Sequence, residues 1–372
     1  MTVYRQAKKG EFSKIVELAN TVFKNDFEKL LPKTFFEEGN VHEITKVAQR
    51  EDGRLIAEVC VLPQTVKVGE QEIVSNYLGT VSVLEEHRGE GHMIKLMNMS
   101  LDEMKGKYDL SVLGGRRQRY EYFGYTYGGV QWEYTVNIHN IRHALKNTDS
   151  SGIVIEPMLG NNKNMDYAAC YNNNRNVNTY REPELIEKIL TSYHHTPYTV
   201  TDGGKVIGYI LTTNNNETIS EIALDDYSNT KRVVKAFFEQ FEATKVIVMM
   251  PEYESELQKE ISDFAECYST IPCCMFNIFD FAKVIKAFLT VKNSYHKLSY
   301  GRFSAVMDGQ PITITVDEKG VTVEKAADEN AVVLGKMDAQ KLILTPFGRH
   351  MDTDVPADWF PLPVFWYYVD CF

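Results

Sequence analysis

The sequence predicts a mixed α/β protein, with two successive α/β units of like order followed by a smaller α+β unit. Three observations carry this. A chain of 372 residues exceeds what one ordinary core serves, so two or three domains are expected. The order of strand-like and helix-like stretches in the first third recurs in the middle of the chain in different words. Beyond about residue 291 the pattern changes to a short meander with turn signals at Asp308-Gly309 and Lys319-Gly320. Hydrophobic residues at 44% and charged residues at 24% match an ordinary folded domain and set disordered, collagen-like and coiled-coil readings aside.

In the first unit, Val3 to Arg5 reads as a short strand. Phe12, Ile15, Val16, Ala19, Val22 and Phe23 then form one helical stripe. Strands are expected around Ile44 to Gln49, over Leu55 to Val68 with a bend at Pro63, and over Ile73 to Val83. A helix opens near Gly91 with Ile94, Met97, Leu101 and Met104 inward. It is followed by a buried strand over Tyr108 to Leu113, a helical turn through Tyr120, and a strand over Val130 to Val136. The second unit repeats the order: strands at Tyr198 to Thr201, Lys205 to Thr213 and Thr218 to Leu224, a helix over Thr230 to Ala243, a strand over Lys245 to Met250 and a helix over Ser255 to Phe264. The Asn-rich stretch from Asn137 to Asn178 reads as a connection with local helix. Domains are thus expected at 1–136, 137–290 and 291–372. The ending DWFPLPVFWYYVDCF carries too many aromatic groups to fray into water and is expected to dock on protein.

Several function classes are excluded by bulk properties. A formal net charge of −11 opposes a general nucleic-acid binder, which needs a concentrated basic surface, and favours cationic small molecules. No segment has the unbroken apolar run of a signal peptide or a bilayer span, so no membrane partner and a cytoplasmic location are expected. The six cysteines are scattered, and their spacing suits neither a zinc site nor a disulfide framework, so no metal is expected.

The sharpest motif is VSVLEEHRGEGHM, from Val81 to Met93: a strand, a tight turn holding Arg88, Gly89 and Gly91, then a helix. Such a helix start offers unpaired N–H groups and about half a positive charge, and glycines let the backbone approach a diphosphate closely. Arg88 adds a permanent cation. In the second unit the matching stretch is ALDDYSNTKR, where Asp225 and Asp226 would repel a phosphate. One cofactor per chain is therefore expected.

The turn Arg88-Gly89-Glu90-Gly91-His92-Met93 resembles that of the GNAT acetyltransferases, Arg/Gln-x-x-Gly-x-Gly/Ala, departing from it in that Met93 replaces a small residue. The resemblance implies acetyl-CoA as donor, with the backbone of Val81, Ser82 and Val83 along the pantetheine arm. Arg88, Gly89, Gly91, His92, Met93 and Ile94 would serve the diphosphate, and Gly115 and Arg116 would make further cofactor contacts. The spacing Tyr120-x-x-Phe123-Gly124-Tyr125 resembles the signature whose first Tyr is the general acid, which implies that role for Tyr120. The whole-chain layout is similar to the enhanced intracellular survival (Eis) family, whose third domain resembles sterol carrier proteins. That likeness implies that the carboxylate of Phe372 is the general base. It also implies a symmetric homo-oligomer, often a hexamer, and a primary-amine acceptor of aminoglycoside, polyamine or lysine type. Two other readings stay open: long-chain acyl transfer like that of N-myristoyltransferase, and a non-catalytic acyl-CoA or lipid-binding protein.

Overall fold

The structure is a computed structural model that describes residues 2–372. Three β-sheets organise it. In spatial order the first holds Val3–Gln6, Thr45–Gln49, Leu55–Val68, Gln71–Val83, Leu110–Leu113, Cys274–Ile278 and Thr126–Gly128, with Val177–Thr179 paired to the far end of Leu55–Val68. The second holds Cys267–Ile271, Gln131–Asn137, Lys245–Pro251, Thr218–Leu224, Lys205–Thr213, Thr196–Asp202 and Ile153–Pro157. The third holds Gly320–Glu324, Gln310–Asp317, Gly301–Met307 and Val332–Leu334.

The first two sheets exchange strands. The stretch expected as the last strand of the first unit forms as Gln131–Asn137, but it pairs antiparallel with Lys245–Pro251 and Cys267–Ile271 in the second sheet. In return, Cys274–Ile278 lies between Leu110–Leu113 and Thr126–Gly128 in the first. The expected division at 136 is thus crossed in both directions, because a strand's alternation tells which of its faces is buried and not which neighbour supplies its hydrogen bonds. The expected division at 290 falls inside the helix Phe281–Tyr295, which packs on both the Gly320–Glu324 strand and the Gln71–Val83 strand. The Asn-rich connection supplies an edge strand, Ile153–Pro157, and a helix, Asn162–Asn174.

Two local expectations are corrected. Pro63 does not bend its strand, which runs unbroken from Leu55 to Val68. Thr45–Gln49 pairs with this strand only as far as Cys60, and Val177–Thr179 only from Val66, so Pro63 sits where one side of the strand has no neighbour and a missing N–H costs little. The irregularity falls instead between Glu58 and Cys60, opposite Gly79 and Ser82. On the helix His92–Met104 the buried residues are His92, Leu96, Met97, Ser100 and Met104, whereas Ile94 is 47% exposed. The stripe is rotated towards His92, so an imidazole takes the place that hydrophobicity alone would give to isoleucine.

The chain end docks as expected. From Trp359 to Phe372 only Tyr368 is substantially exposed. Phe365, Tyr367 and Val369 pack with Met165, Ala169, Ile189 and Leu211 of the second unit. One buried ionic network fixes this segment. Arg181 donates from Nε to Asp370 Oδ1 at 2.8 Å and from its terminal nitrogens to Asp370 Oδ2 at 3.0 Å and Glu221 Oε2 at 2.9 Å. Arg175 donates to Glu221 Oε1 at 2.5 Å, as does the Tyr209 hydroxyl. Burial by itself would raise Glu221, but the two guanidiniums hold its carboxyl down at about 2.

Replacing Arg181 by Met leaves Asp370 and Glu221 buried without their shared partner, and is expected to cost roughly 3–5 kcal/mol in thermal or denaturant unfolding. Because the Glu221 carboxyl titrates lower in the folded chain than its ordinary value of 4.5, its stabilising effect is present above pH 4.5 and disappears as pH falls towards 2. Melting temperature should therefore drop across that window, and less steeply in the Arg181→Met protein.

Candidate active site

The site is built on a gap in the first sheet. Gln71–Val83 and Leu110–Leu113 are parallel neighbours only over Ser75–Tyr77, paired with Leu110–Val112. Beyond Tyr77 the first strand keeps its antiparallel partner on one side, while its other edge, including Val81, Ser82 and Val83, has no strand beside it. Thr80 lies in this stretch at φ +47°, a left-handed conformation that costs a β-branched residue on the order of 1–3 kcal/mol. The irregular pairing there turns the backbone of the open edge away from a regular ladder.

The last residue of the chain packs on the face of the sheet beside the gap. Phe372 is 7% exposed, its ring stacks on Phe35 with centroids 6.0 Å apart, and it lies directly over Gly79. A Cβ on Gly79 would stand 2.2 Å from Phe372 Cδ1 and 2.8 Å from its carbonyl oxygen, so only glycine admits the terminus here. Lys33 holds the approach, donating at 2.5 Å to the carbonyl oxygens of Val369 and Cys371, and burial pushes its ammonium down to about 8. Gln64 donates to the carbonyl oxygen of Asp370 at 2.6 Å and accepts from Trp366 Nε1 at 3.0 Å.

At the outer end stands the turn singled out in the sequence. Gly89 and Gly91 have φ of +86° and +83°, which L side chains rarely adopt, and a Cβ at either would meet no atom within 4 Å. The space over the turn is open. Gly91 is the N-cap of the helix His92–Met104 and no side chain caps it, so the first amides, those of His92, Met93 and Ile94, are without intrahelical partners. Arg88 and Gly89 are exposed beside them. The side chain of His92 points away from the opening: its Nδ1 is 2.7 Å from the Tyr4 hydroxyl and its Nε2 is 3.1 Å from Glu90. Met93 is half-buried against the core. These two residues can offer an anion their N–H groups only.

Across the gap, Gly114, Gly115 and Arg116 are exposed after the Leu110–Leu113 strand. Tyr120 is buried, and its ring lies so close to Gly115 that a Cβ there would be 2.3 Å from Cε2. Burial raises the Tyr120 phenol above its ordinary value of 10. Arg117 is tied to Glu121 at 2.5 Å on the surface.

Sequence reasoning missed Glu58, Lys33, and the Arg181, Glu221 and Asp370 set. Glu58 is fully buried opposite Ser82, whose hydroxyl donates to it at 3.3 Å, and its Oε2 has no partner. Burial raises its carboxyl well above the carboxylate range. No spacing rule marks such a residue, since its only signal is a lone carboxylate in a strand otherwise fit for burial. A cavity of about 290 Å³ beside the tail is lined by Lys33, Gln64, Thr179, Glu182 and Asp370 and so carries both signs of charge.

The second unit offers no comparable cradle. Asp226 accepts from the Ser228 N–H at 2.9 Å and thereby uses its own carboxylate on the amides of the turn, while Asp225 accepts from the Tyr167 hydroxyl at 2.6 Å.

Residues 3–128 match the family model for the acetyltransferase (GNAT) domain. A search of curated proteins finds no match. Among solved structures, a GCN5-related N-acetyltransferase from Anabaena variabilis is 15% identical with a TM-score of 0.67, each chain being covered over 100%. Eis1 from Mycobacterium abscessus is 12% identical with a TM-score of 0.65, over 98% of this chain and 99% of that one. A conserved protein of unknown function from Enterococcus faecalis, described as a probable N-acyltransferase, is 16% identical with a TM-score of 0.62, over 91% and 88%. At such identities the likeness establishes the fold, two α/β halves of GNAT type and a smaller third unit, along essentially the whole chain. With the match of residues 3–128 to the acetyltransferase (GNAT) domain, it supports an N-acetyltransferase, and a GNAT fold implies acetyl-CoA as the donor.

Gly79→Ala tests the seat of the terminus. Overpacking of this kind costs about 1–3 kcal/mol and should expel Phe372, so amide exchange over residues 369–372 is expected to accelerate at least ~10-fold while the second sheet keeps its protection. Unchanged exchange at the chain end would show that Phe372 does not sit against Gly79.

Proposed function

We propose that this N-acetyltransferase binds acetyl-CoA along the open edge at Val81–Val83 and over the Arg88–Gly91 turn, and passes the acetyl group to a primary amine. In this reading Tyr120 is the general acid and the terminal carboxylate of Phe372 the general base. The observation that carries it is the position of the chain end: the last residue is pressed on Gly79, two positions before Val81 on the strand whose far edge is open.

The chemistry follows from these groups. A primary ammonium has a pKa near 10.4 and must lose a proton before it can attack. The terminal carboxylate accepts that proton, and the freed amine adds to the thioester carbonyl. When the C–S bond breaks, the departing thiolate takes a hydrogen bond or a proton from the Tyr120 hydroxyl. A thiol with a pKa near 8.5 is more acidic than the phenol, so stabilisation of the thiolate by that hydrogen bond contributes alongside proton transfer. The N–H groups at the helix start and the Arg88 guanidinium hold the diphosphate, and the exposed Gly115 and Arg116 lie within the same reading as further cofactor contacts.

The acceptor is taken to be a cationic small molecule or peptide, of polyamine, aminoglycoside or lysine type, in keeping with the net charge of −11. The layout of two GNAT-type halves and a third α+β unit supports an Eis-like enzyme with a sterol-carrier-like C-terminal domain, a cytoplasmic location and a symmetric homo-oligomer of up to six copies. Among the described residues no helix is long and apolar enough to cross a membrane.

Thiol release from acetyl-CoA against polyamines, aminoglycosides and lysine peptides measures the activity. Tyr120→Phe is expected to lower kcat by ~10²-fold or more with a small change in KM for acetyl-CoA. A few residues appended after Phe372 should lower kcat comparably, and full activity of the extended protein would remove the terminal carboxylate from the mechanism. Arg88→Ala should instead raise the Kd for acetyl-CoA by about tenfold, the loss of one charge-assisted contact. Absence of acetyl-CoA binding to the folded chain in calorimetry would overturn the whole reading.

A further inference from the structure

The turn that closes the gap carries a second arrangement, which the acetyl-transfer chemistry does not use. His87, Glu90 and His92 converge, and one ligand atom from each lies within 4.8 Å of the others. Glu90 stands between the two rings: its Oε1 is 3.1 Å from His87 Nδ1 and its Oε2 is 3.1 Å from His92 Nε2. The left-handed glycines on either side of Glu90 reverse the chain here, bringing three residues from a six-residue stretch to one point.

We propose that His87, Glu90 and His92 form a binding site for a divalent cation of the zinc class. Zinc takes imidazole and carboxylate ligands at about 2.0–2.2 Å, which in a tetrahedral arrangement sets neighbouring ligand atoms about 3.3 Å apart. Each imidazole lies 3.1 Å from a different oxygen of Glu90, so with one carboxylate oxygen as ligand one spacing is already close to that value and the other two must close by at most about 1.5 Å, within the reach of side-chain rotation. Two imidazoles with one carboxylate suit zinc, nickel or cobalt; magnesium and calcium require a shell of oxygens.

The surroundings fit a ligand set. The His92 side chain is 4% exposed and that of His87 11%, whereas that of Glu90 is 48% exposed. The nitrogens are thus shielded by protein, and the carboxylate side is open to water, which leaves a coordination position for an oxygen donor. Tyr4 completes the arrangement. When its hydroxyl oxygen, 2.7 Å away, accepts from His92 Nδ1–H, the tautomer is fixed with the Nε2 lone pair facing Glu90. A bound cation would tie the end of the Glu85–His87 turn to the first residue of the following helix, stiffening the loop that presents the Gly89 and Gly91 amides.

The site stands apart from the acetyl-CoA reading and is tested without nucleotide. Zn²⁺ is titrated calorimetrically into the metal-free full chain lacking any affinity tag. Uptake of one equivalent is expected with a Kd on the order of 1 µM or tighter. His87→Ala and Glu90→Gln should weaken binding at least ~10-fold each, with the melting temperature of each metal-free variant measured to show that it is folded. Co²⁺ bound to the wild-type chain should show the intense visible absorption of a four-coordinate ion, lost in both variants. The proposal is overturned if the wild-type chain takes up no Zn²⁺ below about 100 µM. It is equally overturned if the His87→Ala/Glu90→Gln double variant titrates like wild type, which would assign the ion to the exposed thiols of Cys170 and Cys267. Acetyl-CoA titrated into the zinc-free protein reads the other claim separately, so the two can fail independently.

Discussion

Everything at the candidate site depends on two parallel strands that stop being neighbours. Gln71–Val83 and Leu110–Leu113 share only three register pairs and then separate. A regular sheet would have consumed the backbone groups of residues 78–83 in a ladder and left no space for a substrate or a chain end. The separation leaves the groups on the gap side without a strand partner, while the other side stays paired with Leu55–Val68, and an extended ligand can meet the open side as a further strand would. The strained Thr80 and the register shift opposite Glu58 are local consequences of the same event. Such strain persists only where the surroundings over-determine it, and here the fully buried Val59 and Cys60 strand behind it does so.

The gap in turn explains why the three units cannot be separated cleanly. Once Leu110–Leu113 leaves its neighbour, its other edge is satisfied by Cys274–Ile278, a strand that belongs in sequence to the second half. The second sheet is completed in exchange by Gln131–Asn137. The tail then runs across both halves, bonding to Gln64 in the first and to Arg181 in the second before it ends over Gly79. Position at the site is thus set by contacts spread over the whole molecule. The buried Arg175, Arg181, Glu221 and Asp370 charges are costly to desolvate, but once paired they admit very few alternative positions for the chain end.

The electrostatics of the two ends of the gap are opposed. At the outer end, free amides and Arg88 present positive charge to solvent. Glu58, whose carboxyl burial raises, lies opposite Ser82, the buried Tyr120 ring lies against Gly115, and the Phe372 ring lies over Gly79. In the second half, the same fold has its turn amides engaged by Asp226 and its sheet crossed by an ion network, so the shared architecture is spent on holding the tail.

How far the sequence spoke for itself can be judged residue by residue. The Arg88–Gly91 turn was legible because its requirement is local: two glycines at positive φ, then a helix start with no capping side chain. The docked aromatic ending was legible for a similar reason, since it follows from composition. The mispairing of Gln131–Asn137, the helix that straddles residue 290, the exposed Ile94 and the buried Glu58 were not legible, since each depends on which distant segment arrives beside it. Sequence by itself determined the order of the elements and the chemistry of the turn, because helix phase, glycine conformation and amide exposure are properties of neighbouring residues. Tertiary structure alone decided which strands pair, which carboxylates are buried and where residue 372 comes to rest, because hydrogen bonding between strands and desolvation are set by groups far apart in the chain.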